Sequence, residues 1–98
     1  MSRAELNMAL LDIDRDETGL AAFDVDPSGF LAGRRLSHDE RVALERWDIG
    51  VMYSLGAHPF VLFQAARSRS VRAGEPLADF LAHYNQSIAD HGYPDFRT

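Results

Sequence analysis

FLAGRRLSHDERVALERWDIGVMYSLGAHPFVLF, residues 30–63, joins three helical patterns through residues that start and stop helices. At its centre, Ser37 and Glu40 stand three residues apart, as in a capping box, where each side chain satisfies an unpaired backbone amide at the start of a helix. Val42, Leu44 and Trp47 then supply the apolar contacts of that helix. The centre of the segment therefore predicts a capped amphipathic helix that runs to Trp47.

Two further helices follow within the same segment. Asp48 is placed to cap a short helix over residues 49–55, and Gly56 suits the left-handed conformation that ends it. His58 precedes Pro59 at the next helix start, where proline is favoured because no amide donor is needed there. From Phe60 to Ala66, the segment that begins here is predicted to form the most apolar helix of the chain.

Helical spacing extends this pattern on both sides. A first helix is predicted from apolar residues at steps of three and four, and its face consists of Leu6, Ala9, Leu10 and Ile13, continued past Gly19 by Leu20 and Phe23. Asp26 and Pro27 open a short second helix. A last helix after Pro76 has the apolar residues Leu77, Phe80, Leu81, Tyr84 and Ile88. Since no segment alternates with period two, the sequence predicts an all-α fold, a compact single domain over residues 1–98 with five or six short helices.

Composition excludes several classes of function. The net charge is -5, which disfavours binding to a nucleic-acid backbone, because such binding needs clustered positive charge. All basic residues are arginine, which excludes a Schiff-base or phosphate-loop lysine, and the absence of cysteine excludes a thiolate nucleophile, a disulfide and a Cys-ligated metal.

The N-terminal residues lack the apolar run of a signal peptide, and no stretch reaches about 18 apolar residues. We therefore expect a cytoplasmic protein with no nucleic-acid and no membrane partner.

The order of the helix signals resembles the small alpha subunit of extradiol aromatic ring-opening dioxygenases of the protocatechuate 4,5-dioxygenase type. The positions that match the pattern of that family are Phe30 and Leu31, Leu36 and Ser37, Asp48, Met52, Gly56 and residues 60–62. Beyond Ser68 the chain departs from the family pattern, because SRSVRAGEP (68–76) stands where full-length subunits have a longer loop that bears aromatic residues.

The resemblance implies a division of labour between two subunits. Small subunits of this family pack over the mouth of a larger catalytic subunit, which holds a non-heme ferrous iron through two histidines and one carboxylate. We therefore expect this chain to contribute no catalytic residue, no metal ligand and no cofactor, and to close the Fe(II) site of a large dioxygenase subunit over a catechol-type substrate. The residues agree with this expectation, since they form no convincing ligand triad, nucleophile or acid-base pair.

The candidates for substrate-side or lid residues are Tyr53, His58, Phe60 and Phe63. His58 lies at a helix start beside Phe60, where its side chain either hydrogen-bonds a bound anion or phenol or simply caps the helix. Tyr53, Phe60 and Phe63, together with Trp47, either line an aromatic pocket or belong to the core, as aromatic residues at helical spacing in small domains usually do.

Other polar residues give weaker signals. Asp79 and His83 share a helical face and, with His91, would form a two-histidine, one-carboxylate metal site, whereas a surface ion pair is the simpler interpretation. An acidic run lacks the glycine and the distant glutamate of a calcium-binding loop, and we interpret it as a solvated face: Asp12, Asp14, Asp16 and Glu17.

Two other classes of function stay open. A helical protein- or peptide-binding module with no dioxygenase partner has the same sequence features, and an independent metalloenzyme would depend on the metal site at His83. Apolar surface meant for a partner would also let the isolated chain pair as a homodimer.

Overall fold

A computed structural model describes residues 2–15 and 17–90, and this part of the chain contains seven α-helices and no strand. In chain order the helices are α1 (Ser2–Asp14), α2 (Glu17–Val25), α3 (Pro27–Leu31), α4 (His38–Arg46), α5 (Ile49–Ser54), α6 (Pro59–Arg72) and α7 (Leu77–Asp90). The predicted all-α fold is confirmed. The seven helices exceed the predicted five or six, because the first predicted helix is two helices that pack against each other, α1 and α2.

The helices form a flat molecule that measures 36 × 34 × 18 Å, so it is about two layers of helices thick. Within it, α1 lies along α6, and α7 packs mainly on α5. The core between these layers includes Leu6, Ala9, Leu10, Ile13, Leu44, Met52, Leu62 and Ala65. The apolar face predicted for the first helix is therefore confirmed. Among the described helices, none is long and apolar enough to cross a membrane.

The helix starts follow from local sequence. Ser37 Oγ accepts a hydrogen bond from the Glu40 amide at 3.1 Å, and Glu40 Oε1 accepts one from the Ser37 amide at 2.9 Å. These two bonds are the predicted capping box of α4. Asp48 Oδ1 accepts from the Val51 amide at 3.2 Å and caps α5, and Gly56 has the predicted positive φ of 108°.

The turn after α4 positions the only tryptophan. Trp47 adopts the left-handed conformation, with φ 54° and ψ 48°, and its amide donates to the carbonyl oxygens of Ala43 and Leu44. This conformation is uncommon for a residue other than glycine, so packing must hold it. The centre of the indole ring lies 5.6 Å from the centre of the Phe23 ring and 4.6 Å from the guanidinium carbon of Arg69. These two contacts join α2, the Trp47 turn and α6.

Candidate functional site

The start of α6 carries two of the four candidate residues, His58 and Phe60. His58 Nδ1 accepts a hydrogen bond from the Phe60 backbone amide at 3.1 Å, so His58 is the N-cap of the helix. The cap interpretation is therefore confirmed. Because Nδ1 accepts, the neutral imidazole carries its proton on Nε2, and the exposed ring retains one donor for a ligand.

Asn7 of α1 fixes this helix start from a distant part of the chain. The His58 amide donates to Asn7 Oδ1 at 2.7 Å, and Asn7 Nδ2 donates to the Gly56 carbonyl oxygen at 3.4 Å. One side chain thus satisfies two backbone groups of the turn between α5 and α6. The sequence pattern does not reveal this contact. The one sequence signal for this contact is the position of Asn7 in the interior of a helix, where asparagine is disfavoured unless its side chain finds a partner.

Phe60 is one of several large apolar residues that are exposed to solvent. The residue is 64% exposed, and Met8 and Leu11 of the neighbouring α1 are 49% and 47% exposed. Leu11 follows Asn7 by one turn and precedes Asp14 by one turn, and these two residues hydrogen-bond to the start and the middle of α6. Leu11 is therefore adjacent to α6. We call Met8, Leu11 and Phe60 the Phe60 surface.

The two remaining candidate residues, Tyr53 and Phe63, lie near Tyr84 of α7. Phe63 packs edge-on against Tyr84, with ring centroids 5.2 Å apart, and Tyr53 is partly buried against the core near the same ring. Burial, and then the neighbouring Tyr53, raises the pKa of Tyr84 to about 12. The predicted pocket of four aromatic residues is divided, because Phe60 faces solvent and Trp47 packs elsewhere.

A cleft of about 250 Å³ lies between the Trp47 turn, α6 and α7. Its aromatic walls are Trp47, Phe80 and Tyr84, and its polar groups include Arg69, Glu75 and His83. Of these polar residues, the sequence pattern singles out His83 alone. We call this the Trp47 cleft.

Glu75 organises the polar side of the Trp47 cleft. Its Oε1 accepts from Ser70 Oγ at 2.8 Å, and its Oε2 accepts from His83 Nδ1–H at 2.7 Å. The predicted pairing of His83 with Asp79 is wrong, because the acidic partner of His83 is Glu75 in the loop before α7. The arrangement differs from a catalytic triad, since the carboxylate rather than the imidazole lies next to the serine.

The Ser70 hydrogen bond is the main cause of the lowered pKa of Glu75, followed among the lowering effects by its bond to His83, while burial acts in the opposite direction. Ser70→Ala should therefore raise the pKa of Glu75 toward its ordinary value of 4.5. A carbon-detected NMR titration of the carboxyl groups measures this change. Ser68→Ala is the matched control, because Ser68 lies on the same helix but donates to Asp14. An equal shift in both variants, or none in Ser70→Ala, would contradict the assignment.

The pKa of Glu75 also predicts how stability depends on pH. Because the folded-state pKa lies below the unfolded value near 4.5, this group stabilises the fold above that pH. The contribution is lost as the pH falls through the folded-state pKa. Ser70→Ala should remove part of this pH dependence.

Two residues of the acidic run at the junction of α1 and α2, Asp12 and Glu17, form ion pairs with arginine instead of being only solvated. Asp12 lies 2.8 Å from Arg34, and Glu17 lies 3.5 Å from Arg72. Two residues considered for metal sites, Asp16 and His91, lie outside the described residues. In the part of the chain that the structure describes, no three His, Asp or Glu side chains converge to hold a metal.

No family model matches the chain, and neither a curated protein nor a solved structure is significantly similar to it. The resemblance of residues 30–63 to extradiol small subunits therefore stays a prediction.

Proposed function

We propose that this chain is a non-catalytic small subunit that packs over the active site of a larger, iron-bearing extradiol dioxygenase subunit. The observation that carries the proposal is the exposed aromatic ring of Phe60 on a rigidly held helix start, within the segment that resembles such subunits. The partner would hold Fe(II) and open the aromatic ring. This chain would exclude water and help to position a catechol-type substrate.

The start of α6 has the properties of an interface anchor. Aromatic residues are enriched among the residues that contribute most to protein–protein affinity. The hydrogen bonds to Asn7 and the cap by His58 hold the backbone that carries Phe60. Docking would then cost little conformational entropy. Met8 and Leu11 of α1 are further large apolar residues exposed to solvent.

Phe60→Gln and Val71→Gln form a matched pair that tests the docking role. Both residues lie on α6, are 64% and 58% exposed, and receive the same new side chain. We expect Phe60→Gln to weaken binding to a co-expressed large extradiol subunit by about 10- to 30-fold, whereas Val71→Gln should bind like the wild type. Calorimetry measures the affinity, and circular dichroism verifies the fold of each variant.

Ring-opening activity of the complex separates docking from function. The activity of the large subunit should rise when the chain is present and fall back with Phe60→Gln. Equal activity with and without the chain would refute the lid role. Equal weakening by both variants would refute the assignment of the Phe60 surface.

The second candidate is a helical module that binds a protein or peptide without any dioxygenase. It is favoured by α7, where Leu77 and Leu81 are exposed one turn apart. Affinity purification of the chain from its native extract distinguishes the two functions. A ferrous extradiol subunit in the eluate supports the first, and another protein together with an iron-free eluate supports the second. Light scattering of the isolated chain would reveal a homodimer.

A further inference from the structure

We propose that the exposed side of α4 pairs with the same side of a second copy of this chain, as two antiparallel helices around a twofold axis at Val42. The side chains involved on α4 are His38, Asp39, Val42, Glu45 and Arg46. None of them belongs to the Phe60 surface, so the proposal does not depend on the proposed function.

Four polar side chains of α4 stand in two pairs with the same spacing. Asp39 and Arg46 are seven residues apart, as are His38 and Glu45, and all four residues are exposed. Seven residues make almost two full turns of an α-helix, so the members of each pair lie one above the other, roughly 10 Å apart along the axis. Val42, which is only partly buried, lies between the two pairs on the helix surface.

This pattern is self-complementary in an antiparallel pair of helices. A twofold axis brings each end of α4 next to the opposite end of the second α4. With the axis at Val42, Asp39 of each copy meets Arg46 of the other, and His38 meets Glu45, with an offset of only about 1.5 Å along the helix. A carboxylate then faces a guanidinium in one pair, and an imidazole N–H faces a carboxylate in the other. A parallel arrangement would instead bring like charges together, so the charges select the antiparallel one.

The four polar side chains are available for such contacts. Within residues 2–15 and 17–90, none of them forms an ion pair or a side-chain hydrogen bond. Arginines elsewhere on the surface differ in this respect, since Arg34 and Arg69 are paired with Asp12 and Asp24. Arg46 has no such partner in the part of the chain that the structure describes.

The dipole of α4 explains only part of this charge pattern. It favours Asp39 in the first turn and Arg46 in the last turn. It does not favour Glu45, because a carboxylate in the last turn lies next to the negative end of the helix. The proposed pairing gives Glu45 a hydrogen-bond donor, His38 of the second copy.

An apolar groove next to Val42 adds to the surface. The groove lies between α4 and α5, has a volume of about 270 Å³ and has apolar walls formed by Val42, Ala43, Val51 and Leu55. Specific interfaces commonly contain about 20 to 30 residues on each side. The eight residues that line the groove, together with Glu45, form a smaller surface. We therefore expect a weak dimer with a dissociation constant on the order of 100 µM.

Charge exchange at the two ends of α4 tests the pairing. Asp39→Arg places an arginine against Arg46 of the second copy, and Arg46→Asp places an aspartate against Asp39. We expect each variant alone to dimerise about 10- to 100-fold more weakly than the wild type, because like charges meet at both symmetric contacts. Sedimentation equilibrium at concentrations up to about 1 mM measures the dissociation constants.

An equimolar mixture of the two variants separates this effect from damage to the fold. One chain then carries arginine at both positions and the other carries aspartate at both, so opposite charges meet at each contact. We expect the mixture to form a heterodimer about as tightly as the wild type forms its homodimer. Mixing would not restore dimerisation that was lost through unfolding, and circular dichroism verifies the fold of each variant. Phe60→Gln is the control for the other exposed surface and should dimerise like the wild type.

The proposal fails if the wild type stays monomeric at about 1 mM, a concentration well above the expected dissociation constant. It also fails if both charge variants dimerise as tightly as the wild type, or if their mixture dimerises no better than either variant alone. Loss of the dimer in Phe60→Gln, with no loss in the charge variants, would assign self-association to the Phe60 surface instead.

Discussion

Phe23→Ala should lower the free energy of unfolding by about 3 to 5 kcal/mol, the range typical of a buried phenylalanine replaced by alanine. Phe23 is only 1% exposed. Its ring lies 5.7 Å from Phe30 in a T-shaped arrangement and 5.6 Å from Trp47. The guanidinium carbon of Arg69 lies 5.2 Å from the same ring. One side chain therefore connects α2, α3, the Trp47 turn and α6.

The loss should be large relative to the total stability, because domains have free energies of unfolding of only about 5 to 15 kcal/mol. Trp47 is held in a left-handed conformation by its packing, and the removal of Phe23 takes away an aromatic ring that packs against the indole. Arg69 also loses one of the two rings that it covers. Urea unfolding followed by tryptophan fluorescence and by circular dichroism measures the change.

Phe60→Ala is the matched control for Phe23→Ala. It deletes the same phenyl group from a residue that is 64% exposed, so the stability should change by less than about 1 kcal/mol. Similar losses in both variants would contradict the proposed role of the Phe23 cluster. A small loss for Phe23→Ala would contradict it as well.

Short-range sequence signals predict the helix starts of this fold well. The caps by Ser37 and Asp48 involve partners three residues away, and His58 caps the amide two residues ahead. The side chain and the backbone group are then neighbours in any chain that forms the helix, so the pattern is sufficient. The burial of Phe23 also follows from its helical spacing.

Contacts between distant residues could not be predicted in this way. Asp24 binds Arg69 across 45 residues, and the Asn7 contact to the His58 amide spans 51 residues. His83 illustrates the resulting error, because helical spacing favours Asp79 while the fold brings Glu75 nearer. The spacing of charged residues in the sequence indicates which ion pairs are possible, but the packing of the fold determines which of them form.

At the candidate site, too, the sequence predicts the local contacts but not the contacts between distant residues. His58 and Phe60 are two residues apart in sequence and are joined by a hydrogen bond in the structure, so the sequence locates the helix start that carries them. Helical spacing does not say which aromatic residues of α6 face solvent. Phe63 packs against α7 and Phe60 does not, because only the assembled fold determines which side of α6 is covered.

Gly19→Ala should destabilise the protein, although alanine is the better helix former. In an exposed helix this substitution stabilises by up to about 1 kcal/mol. A Cβ atom at position 19, however, would overlap the backbone carbonyl oxygen of Asp12 on α1. A backbone atom cannot rotate away as a side chain can, so α2 must shift relative to α1. We expect a net loss of about 1 to 3 kcal/mol, as for other overpacked sites.

Ala22→Gly provides the reference for helix propensity in the same helix. Ala22 is exposed on α2, so its replacement should cost about 1 kcal/mol without affecting the contact with α1. If both substitutions destabilise, position 19 requires glycine for the close approach of α1 and α2. If Gly19→Ala stabilises while Ala22→Gly destabilises, propensity alone governs α2 and the close approach is not a constraint. Urea unfolding of the two variants decides between these outcomes, since the sign of the change at position 19 differs between them.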